Sequence, residues 1–315
     1  MLFFRKGFKG ILMKKLVIIC PVFNEEEVIP LFVEEIKKVE AKISEKYSLD
    51  LVFSNNASTD KTLKILEEYS KTYNNIYYLT LSKNFGYQKS LNFSLKNTSG
   101  DLYVIIDADG EDPPSMILEF LEKYEQGNDI VYGLRENRPE NFIIKKLRNF
   151  FYRVLKFSSD DEIILKMAEF SLFTNEIKEH LIEENTSFPF LRSSISRVGF
   201  DSASIPYTRS KRSAGESNYN IFSMIKFAIA GILASTTLPL RFPIYFFPFW
   251  FFISFLLFTN QSSNPLFWNY LIYISILYIV ITISFVSIYI ARIYQNGLMR
   301  ANAYLVKRKS KIQKI

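Results

Sequence analysis

The stretch Leu16-Val17-Ile18-Ile19-Cys20-Pro21-Val22-Phe23-Asn24-Glu25-Glu26-Glu27 reads as a buried strand that stops abruptly and hands over to a helix. Its first five residues are apolar and rich in β-branched side chains, the composition of a strand covered on both faces. Pro21 to Asn24 ends the run. Asn24 then stands as a helix cap with Glu27 three residues on, the capping-box pattern. The helix would turn Val28, Leu31, Phe32, Ile36 and Val39 toward the core. Capping explains Asn24 and Glu27 without any ligand. Backbone amides at a helix start also favour an anion or polar ligand, so both roles stay open for Pro21, Phe23, Asn24 and Glu25.

The same rhythm repeats along the chain. Leu49 to Phe53 is a second strand, and Thr59-Asp60 opens a helix carrying Leu63, Ile65 and Leu66. Ile76 to Leu81 is a third strand, followed by the turn Asn84-Phe85-Gly86 and a helix near Lys89 to Leu95. Leu102 to Ile106 is a fourth, and Pro113-Pro114 begins another helix, since proline is tolerated in a first turn. Strands alternating with helices predict a parallel sheet covered on both faces, with ligands at the carboxyl ends of its strands. Three segments at those ends are unusually polar: Asn24 to Glu26, Ser54 to Asp60, and Asp107 to Asp112. Arg138 to Pro206 is less regular.

Two chemistries are excluded early. His180 is the one histidine, in the polar context Lys178-Glu179-His180, and reads as a surface residue. With no second histidine and no cysteine cluster, a zinc site and a Ser-His-Asp triad both lack residues. The single cysteine, Cys20, forms no intrachain disulfide and reads as a small core residue.

From Phe242 to Ala291 there is no Asp, Glu, Lys, Arg or His. A hydrocarbon core of ~30 Å needs about 20 apolar residues per helix, so this stretch suffices for two crossings. The polar break Thr259 to Pro265 falls where a hairpin loop belongs. The net charge is +7, and after Ala291 come Arg292, Arg300, Lys307, Arg308, Lys309, Lys311 and Lys314 with no acid. By the positive-inside rule both ends face the cytoplasm. A basic tail beside a span favours anionic lipid over nucleic acid. Ile221 to Leu240 reads as an interfacial helix. Residues 1–13 are basic and apolar but lack the features of a signal peptide.

The strongest chemical motif is Asp107-Ala108-Asp109-Gly110-Glu111-Asp112-Pro113-Pro114. Carboxylates two apart at a strand end project to one side and suit a hard divalent cation, which keeps positions free for phosphates. A bare Asp-x-Asp is short and common; one that follows a buried strand and precedes a double proline points to function. Asn55-Asn56-Ala57-Ser58-Thr59-Asp60 offers amides for a nucleobase edge, although Ser58 or Asp60 also serves as a cap. Tyr207 to Tyr219 holds Arg209, Lys211 and Arg212 with Gly215, Glu216 and Ser217 nearby. Arginine forks grip phosphate, and the competing role is a plain juxtamembrane basic cluster.

With these motifs in order, the sequence resembles the inverting glycosyltransferases of family 2, and within them the polyprenyl-phosphate glycosyltransferases. The resemblance rests on residues 21–27, 57–60, 81–88, 107–114, 131–133, 214–217, 238–241 and 291–294. It implies an α/β GT-A fold, a Rossmann-like mixed sheet with helices on both faces, plus a C-terminal two-helix transmembrane hairpin. The implied segments are a basic extension (1–13), a cytoplasmic catalytic domain (14–206), an acceptor clamp with interfacial helices (207–241), two spans (242–293) and a basic tail (294–315). It also implies Mg²⁺ or Mn²⁺ on Asp107 and Asp109, a nucleotide-diphosphate sugar (UDP-sugar favoured), polyprenyl phosphate, membrane lipids and a homo-oligomer at the cytoplasmic membrane face, with no nucleic acid.

The donor set implied is Pro21, Phe23, Asn24, Glu25, Asn55, Asn56, Ser58, Asp60, Asn84, Gly86, Gln88, Asp107, Ala108 and Asp109, and the acceptor-phosphate set Arg209, Arg212 and Ser217. Asp112 and Glu169 are the candidate bases, needed if the acceptor is a sugar or lipid hydroxyl. A phosphate monoester, with its second pKa near ~6, needs none. Three positions depart from the family: Asn55-Asn56-Ala57-Ser58 stands for Asp-Asp-Gly-Ser, Lys166 to Ser171 for Asp-Ala-Gly-Asp-Phe-Arg, and Asn218 for lysine. These departures motivate one non-enzymatic alternative, a membrane scaffold.

Overall fold

The computed structural model describes residues 13–136, 146, 153, 167–183, 191–210, 236–259, 265–298 and 303–312. The described strands are β1 (Lys14–Val22), β2 (Tyr47–Asn55), β3 (Ile76–Thr80), β4 (Leu102–Ile105), β5 (Ile130–Glu136), β6 (Met167–Thr174) and β7 (Ser202–Thr208). Helices α1 (Ile29–Ile43), α2 (Thr62–Thr72), α3 (Tyr87–Lys96) and α4 (Met116–Glu125) alternate with the first strands, and α5 (Asn175–Glu183) and α6 (Leu191–Arg197) follow β6.

One seven-stranded sheet runs β3-β2-β1-β4-β6-β5-β7. β1 is parallel to β2 and β4, and β2 to β3, while β6 is antiparallel to both β4 and β5. The sheet is therefore mixed. The region that sequence pattern left irregular contributes β6, β7, α5 and α6, whose apolar residues are too interrupted to show a clear period.

Alternation along β1 explains the two cores. Leu16, Ile18, Cys20 and Val22 pack with α1 and α4 on one face. Val17 and Ile19 pack with Leu91 and Leu95 of α3 and Ile177 of α5 on the other. Both sets are fully buried, as a strand in the middle of a two-sided sheet requires. Burial pushes the Cys20 thiol well above its usual pKa, with Asp107, Asp109 and Glu25 adding to it, so it is an inert core residue.

Two details of α1 differ from the sequence expectation. The helix begins at Ile29 after Val28 with no side-chain cap: Asn24, the expected cap, accepts the Thr59 amide instead, and Glu27 is exposed outside the helix. Its buried face is Ile29, Phe32, Val33, Ile36, Val39 and Ile43, and Leu31 is exposed.

Helices α7 (Leu238–Thr259) and α8 (Pro265–Gly297) are both long and apolar enough to cross a bilayer. α8 has 33 residues, about 50 Å at ~1.5 Å per residue. They touch through Trp250 stacked on Tyr278, 5.6 Å between centroids, and Phe246 beside the same ring. Large apolar side chains stand exposed along both, among them Ile244, Phe251, Tyr273 and Ile283. A helix in water keeps its apolar residues on one stripe; these do not. α7 starts four residues before the expected span, so Leu238-Pro239-Leu240-Arg241 is its first turn. Residues 1–12 of the N-terminal extension, and 221–235 of the stretch 221–240 read as an interfacial helix, lie outside the described residues, while Leu238 to Leu240 belong to α7.

Candidate active site

The strand order places the site. β2 and β3 add to one side of β1, and the chain then crosses to β4 on the other side. That reversal opens a crevice at the carboxyl ends of β1 and β4, where ligands of such sheets bind. The loops after β1, β2 and β4 converge there.

Asp107 lies two residues beyond the end of β4, partly buried. Its Oδ1 accepts a hydrogen bond of 2.8 Å from the hydroxyl of Tyr87, the first residue of α3. Burial, then the neighbouring charges of Asp109 and Asp112, push the Asp107 pKa up to about 7. The Tyr87 phenol is in turn held well above its usual range by burial, Asp107 and Glu169. Asp109 accepts the Glu111 amide at 3.0 Å, which folds the loop tightly around Gly110. Ala108 is buried beneath them.

The first two polar loops are sewn together. The Asn24 amide donates to Ser58 Oγ at 3.0 Å, and Asn24 Oδ1 accepts the Thr59 amide at 2.8 Å. Asp60 accepts from the amides of Glu26 and Thr62, and Glu26 accepts from that of Lys61. The Glu25 amide donates to Thr62 Oγ1. Asn24 and Ala57 both adopt positive φ to make these turns. Asn24, Ser58 and Asp60 thus hold loop to loop, while Pro21 and Phe23 stay half-buried behind them.

Asn55 and Asn56 are buried, and Asn56 both donates and accepts through its side-chain amide. Asn55 Oδ1 accepts the Ser58 amide at 3.0 Å, and its Nδ2 reaches Thr80 Oγ1 at 3.5 Å. Asn56 Nδ2 donates to Asn84 Oδ1 at 2.8 Å while its Oδ1 accepts the Phe85 amide at 2.9 Å. Asn84 Oδ1 also takes the Gly86 amide, and Gly86 sits at φ 86°, open to glycine alone without strain. A carboxylate has no hydrogen to donate to Asn84. Asn56 therefore binds the turn 84–86 to the end of β2, while Asn55 ties β2 to Thr80 and to the Ser58 turn.

Two further acids sit in ion-pair clusters. Asp112 is 1% exposed and takes Arg135 at 3.1 Å, Arg209 at 3.3 Å and the Tyr207 hydroxyl. Arg135 Nε also donates to the Tyr207 oxygen at 3.1 Å. Arg209, one residue past β7, closes the cluster with an ion pair to Glu111. Burial and then Asp112 keep the Tyr207 phenol raised above its usual range. Gly133 makes this possible: a Cβ there would lie 2.7 Å from the Tyr207 ring.

Glu169, 7% exposed on β6, accepts from Gln88 Nε2 at 3.0 Å and Arg192 at 3.1 Å. Gln88 Oε1 takes the Leu191 amide, tying α3 to α6. His180 is exposed near Glu183, as its context implied. Arg212 and Ser217 lie outside the described residues. Sequence pattern missed Arg135 and Arg192, which carry no motif of their own, and gave Tyr87 no role although it lies within the quoted stretch 81–88. Tyr207 opens a quoted motif, yet nothing in the sequence paired it with Asp112.

Among the described residues no three metal-ligating side chains cluster. Two neighbouring carboxylates nevertheless fit a hard cation that completes its shell with water and phosphate oxygens.

A mixed sheet in this order, with an Asp-x-Asp beyond its fourth strand and polar loops around it, is the architecture of a GT-A sugar-transferring enzyme. The chain belongs to glycosyl transferase family 2, which it matches over residues 17–198. It is 32% identical over 304 residues to the uncharacterized glycosyltransferase YkcC of Bacillus subtilis, covering 92% of this chain and 93% of that one. It is 31% identical over 307 residues to a bactoprenol glucosyl transferase of Shigella phage SfX, covering 93% and 99%. Among solved structures, mannosyl-3-phosphoglycerate synthase from Rubrobacter xylanophilus aligns with a TM-score of 0.48 at 15% identity, over 70% of this chain and 73% of that one.

Proposed function

We propose that this glycosyltransferase moves a sugar from a nucleotide-diphosphate donor to a polyprenyl phosphate at the cytoplasmic face of a membrane, with inversion at the anomeric carbon. One observation carries the choice of acceptor. Both acids placed to act as a base are already engaged: Asp112 by two guanidinium groups and a phenol, Glu169 by Arg192 and Gln88. To take a hydroxyl proton, Asp112 would have to release one of these partners and Glu169 to share its carboxylate with them. A phosphate monoester arrives already charged and asks for positioning instead. The match to a bactoprenol glucosyl transferase runs through both apolar helices and supports the same acceptor class.

In this reading the loops after β1, β2 and β3 hold the nucleotide. Asp107 and Asp109 would hold Mg²⁺ or Mn²⁺, which, when bound, neutralises the departing diphosphate. Tyr87 fixes the Asp107 carboxylate by donating to Oδ1, so that oxygen does not swing away. Gln88, Glu169 and Arg192 face the sugar with donors and acceptors, and Arg192 Nε has no partner among the described residues. Arg209, with Arg212, receives the acceptor phosphate. Helices α7 and α8 cross the bilayer with both chain ends cytoplasmic, which keeps the site beside its soluble donor and its lipid substrate.

The test incubates membranes holding the full chain with a panel of labelled nucleotide-sugars and extracts lipid-linked product. Label in an acid-labile polyprenyl-phosphate sugar is the expected result. Label only in a glycolipid joined through a hydroxyl would overturn the acceptor assignment.

A further inference from the structure

We propose that the C-terminal segment 303–312 is a positioning segment that holds the nucleotide-binding loops of the site in place. This rests on the donor assignment above and goes beyond it, because the basic tail otherwise has only a lipid-facing role. β3 is an edge strand, and an edge leaves its outward N–H and C=O groups without partners. Here the tail supplies them. Tyr78 and Lys311 exchange both backbone bonds, at 2.7 and 2.9 Å. The Thr80 amide donates to Ser310 Oγ, the Val306 amide to the Thr80 oxygen, and the Ser82 amide to the Tyr304 oxygen. Two isolated antiparallel bridges, Tyr78 to Lys311 and Leu81 to Leu305, lie on either side of a 3₁₀ turn at Lys307–Lys309 and anchor the segment at both ends.

The tail is seated by side chains as well. Ala303 is buried and Leu305 packs on the α3-side core. The Tyr304 ring lies 6.1 Å from that of Phe85. Lys311 reaches the Ser70 carbonyl at the end of α2. Lys307, Arg308 and Lys309 remain exposed on the far side.

What the tail grips is one bond from the asparagine pair. Thr80, held by Ser310 and Val306, presents Oγ1 to Asn55. Ser82 and Phe85, held by Tyr304, flank the turn whose Asn84 and Phe85 bond to Asn56. Asn55 and Asn56 therefore have two sets of supports, and the tail touches both. The tail begins six residues after the end of α8, so the apolar hairpin and the nucleotide loops are joined by a short piece of chain.

The experiment compares the full chain, a chain ending at Asn302, Tyr304→Ala, Tyr304→Phe and Lys311→Pro, all in detergent. Binding of UDP and of GDP is measured by calorimetry with Mn²⁺ present, and backbone amide exchange is followed at Phe85 and Gly86. We expect the shortened chain and Lys311→Pro to bind nucleotide at least about tenfold more weakly. Tyr304→Ala should weaken it less, Tyr304→Phe should restore it, and an added peptide of residues 303–315 should rescue the shortened chain. Exchange at Phe85 and Gly86 should rise in step. A folded shortened chain with unchanged exchange and unchanged affinity overturns the proposal. If the full chain binds neither nucleotide but the exchange changes appear, the donor assignment fails and the positioning role of the segment stands.

Discussion

Tyr207 hands its phenolic hydrogen to Asp112 across 95 residues of chain, at 2.5 Å, inside a cluster that also holds Arg135 and Arg209. β7 and the loop after β4 meet at this contact, two residues before Arg209. Tyr207→Phe leaves Asp112 and Arg135 each short of one partner in a buried place, a loss of about 1–3 kcal/mol in stability. Gly133→Ala drives a Cβ into the Tyr207 ring and should disturb the same contact. The two changes together should cost less than their sum, measured by thermal unfolding in detergent. Full additivity would mean that Gly133 acts on something other than the ring.

Asp107→Asn or Asp109→Asn should abolish sugar transfer and leave the chain folded. Each removes one of two neighbouring carboxylates whose repulsion the folded state now bears, so neither should lower the unfolding temperature. Metal stabilisation of a leaving group contributes several kcal/mol, on the order of a thousandfold or more in rate. Transfer at the normal rate in either variant, or in excess chelator, removes these residues from the metal role.

Much of this site was legible because its signals are local. The strand from Leu16 to Cys20, the polar loop after it and the Asp107–Asp109 pair sit in stretches of a few residues each, and the structure places them at one crevice. The partners of Asp112 were not legible, since Arg135 and Tyr207 reach it from strands 23 and 95 residues away. Asn24 has the sequence of a cap, yet Ser58 and Thr59 compete for its backbone amide and side chain and win. The tail read as a lipid-facing basic run. Its pairing with β3 depends on which strand ends up at the sheet edge, and only the sheet order reveals that.

Topology can be tested by cysteine labelling, because the native Cys20 is buried with a raised pKa and gives little background. A cysteine at Ser262, in the loop between α7 and α8, should react with an impermeant thiol reagent on intact cells. One at Arg308, exposed beside β3, should react only after the membrane is opened. The opposite pattern would put the catalytic crevice on the side without nucleotide-sugar.

Arg209 is ion-paired to Glu111 and bonded to Asp112. If Arg209 receives the acceptor phosphate as proposed, that phosphate competes with Glu111 for the guanidinium. Burial and then Asp109 raise the Glu111 pKa, with Arg209 working against them, so the acid is held in an environment that disfavours its charge. Glu111→Gln removes that charge and should lower the KM for polyprenyl phosphate, because Arg209 is then freer to turn. Arg209→Lys keeps a cation but loses the planar fork, and should raise the same KM by about tenfold, equivalent to ~1.4 kcal/mol. The KM for the nucleotide-sugar should stay put in both variants, and donor hydrolysis by water should survive in both. If Arg209→Lys instead weakens donor binding and spares the acceptor, Arg209 serves the diphosphate and the acceptor clamp lies elsewhere.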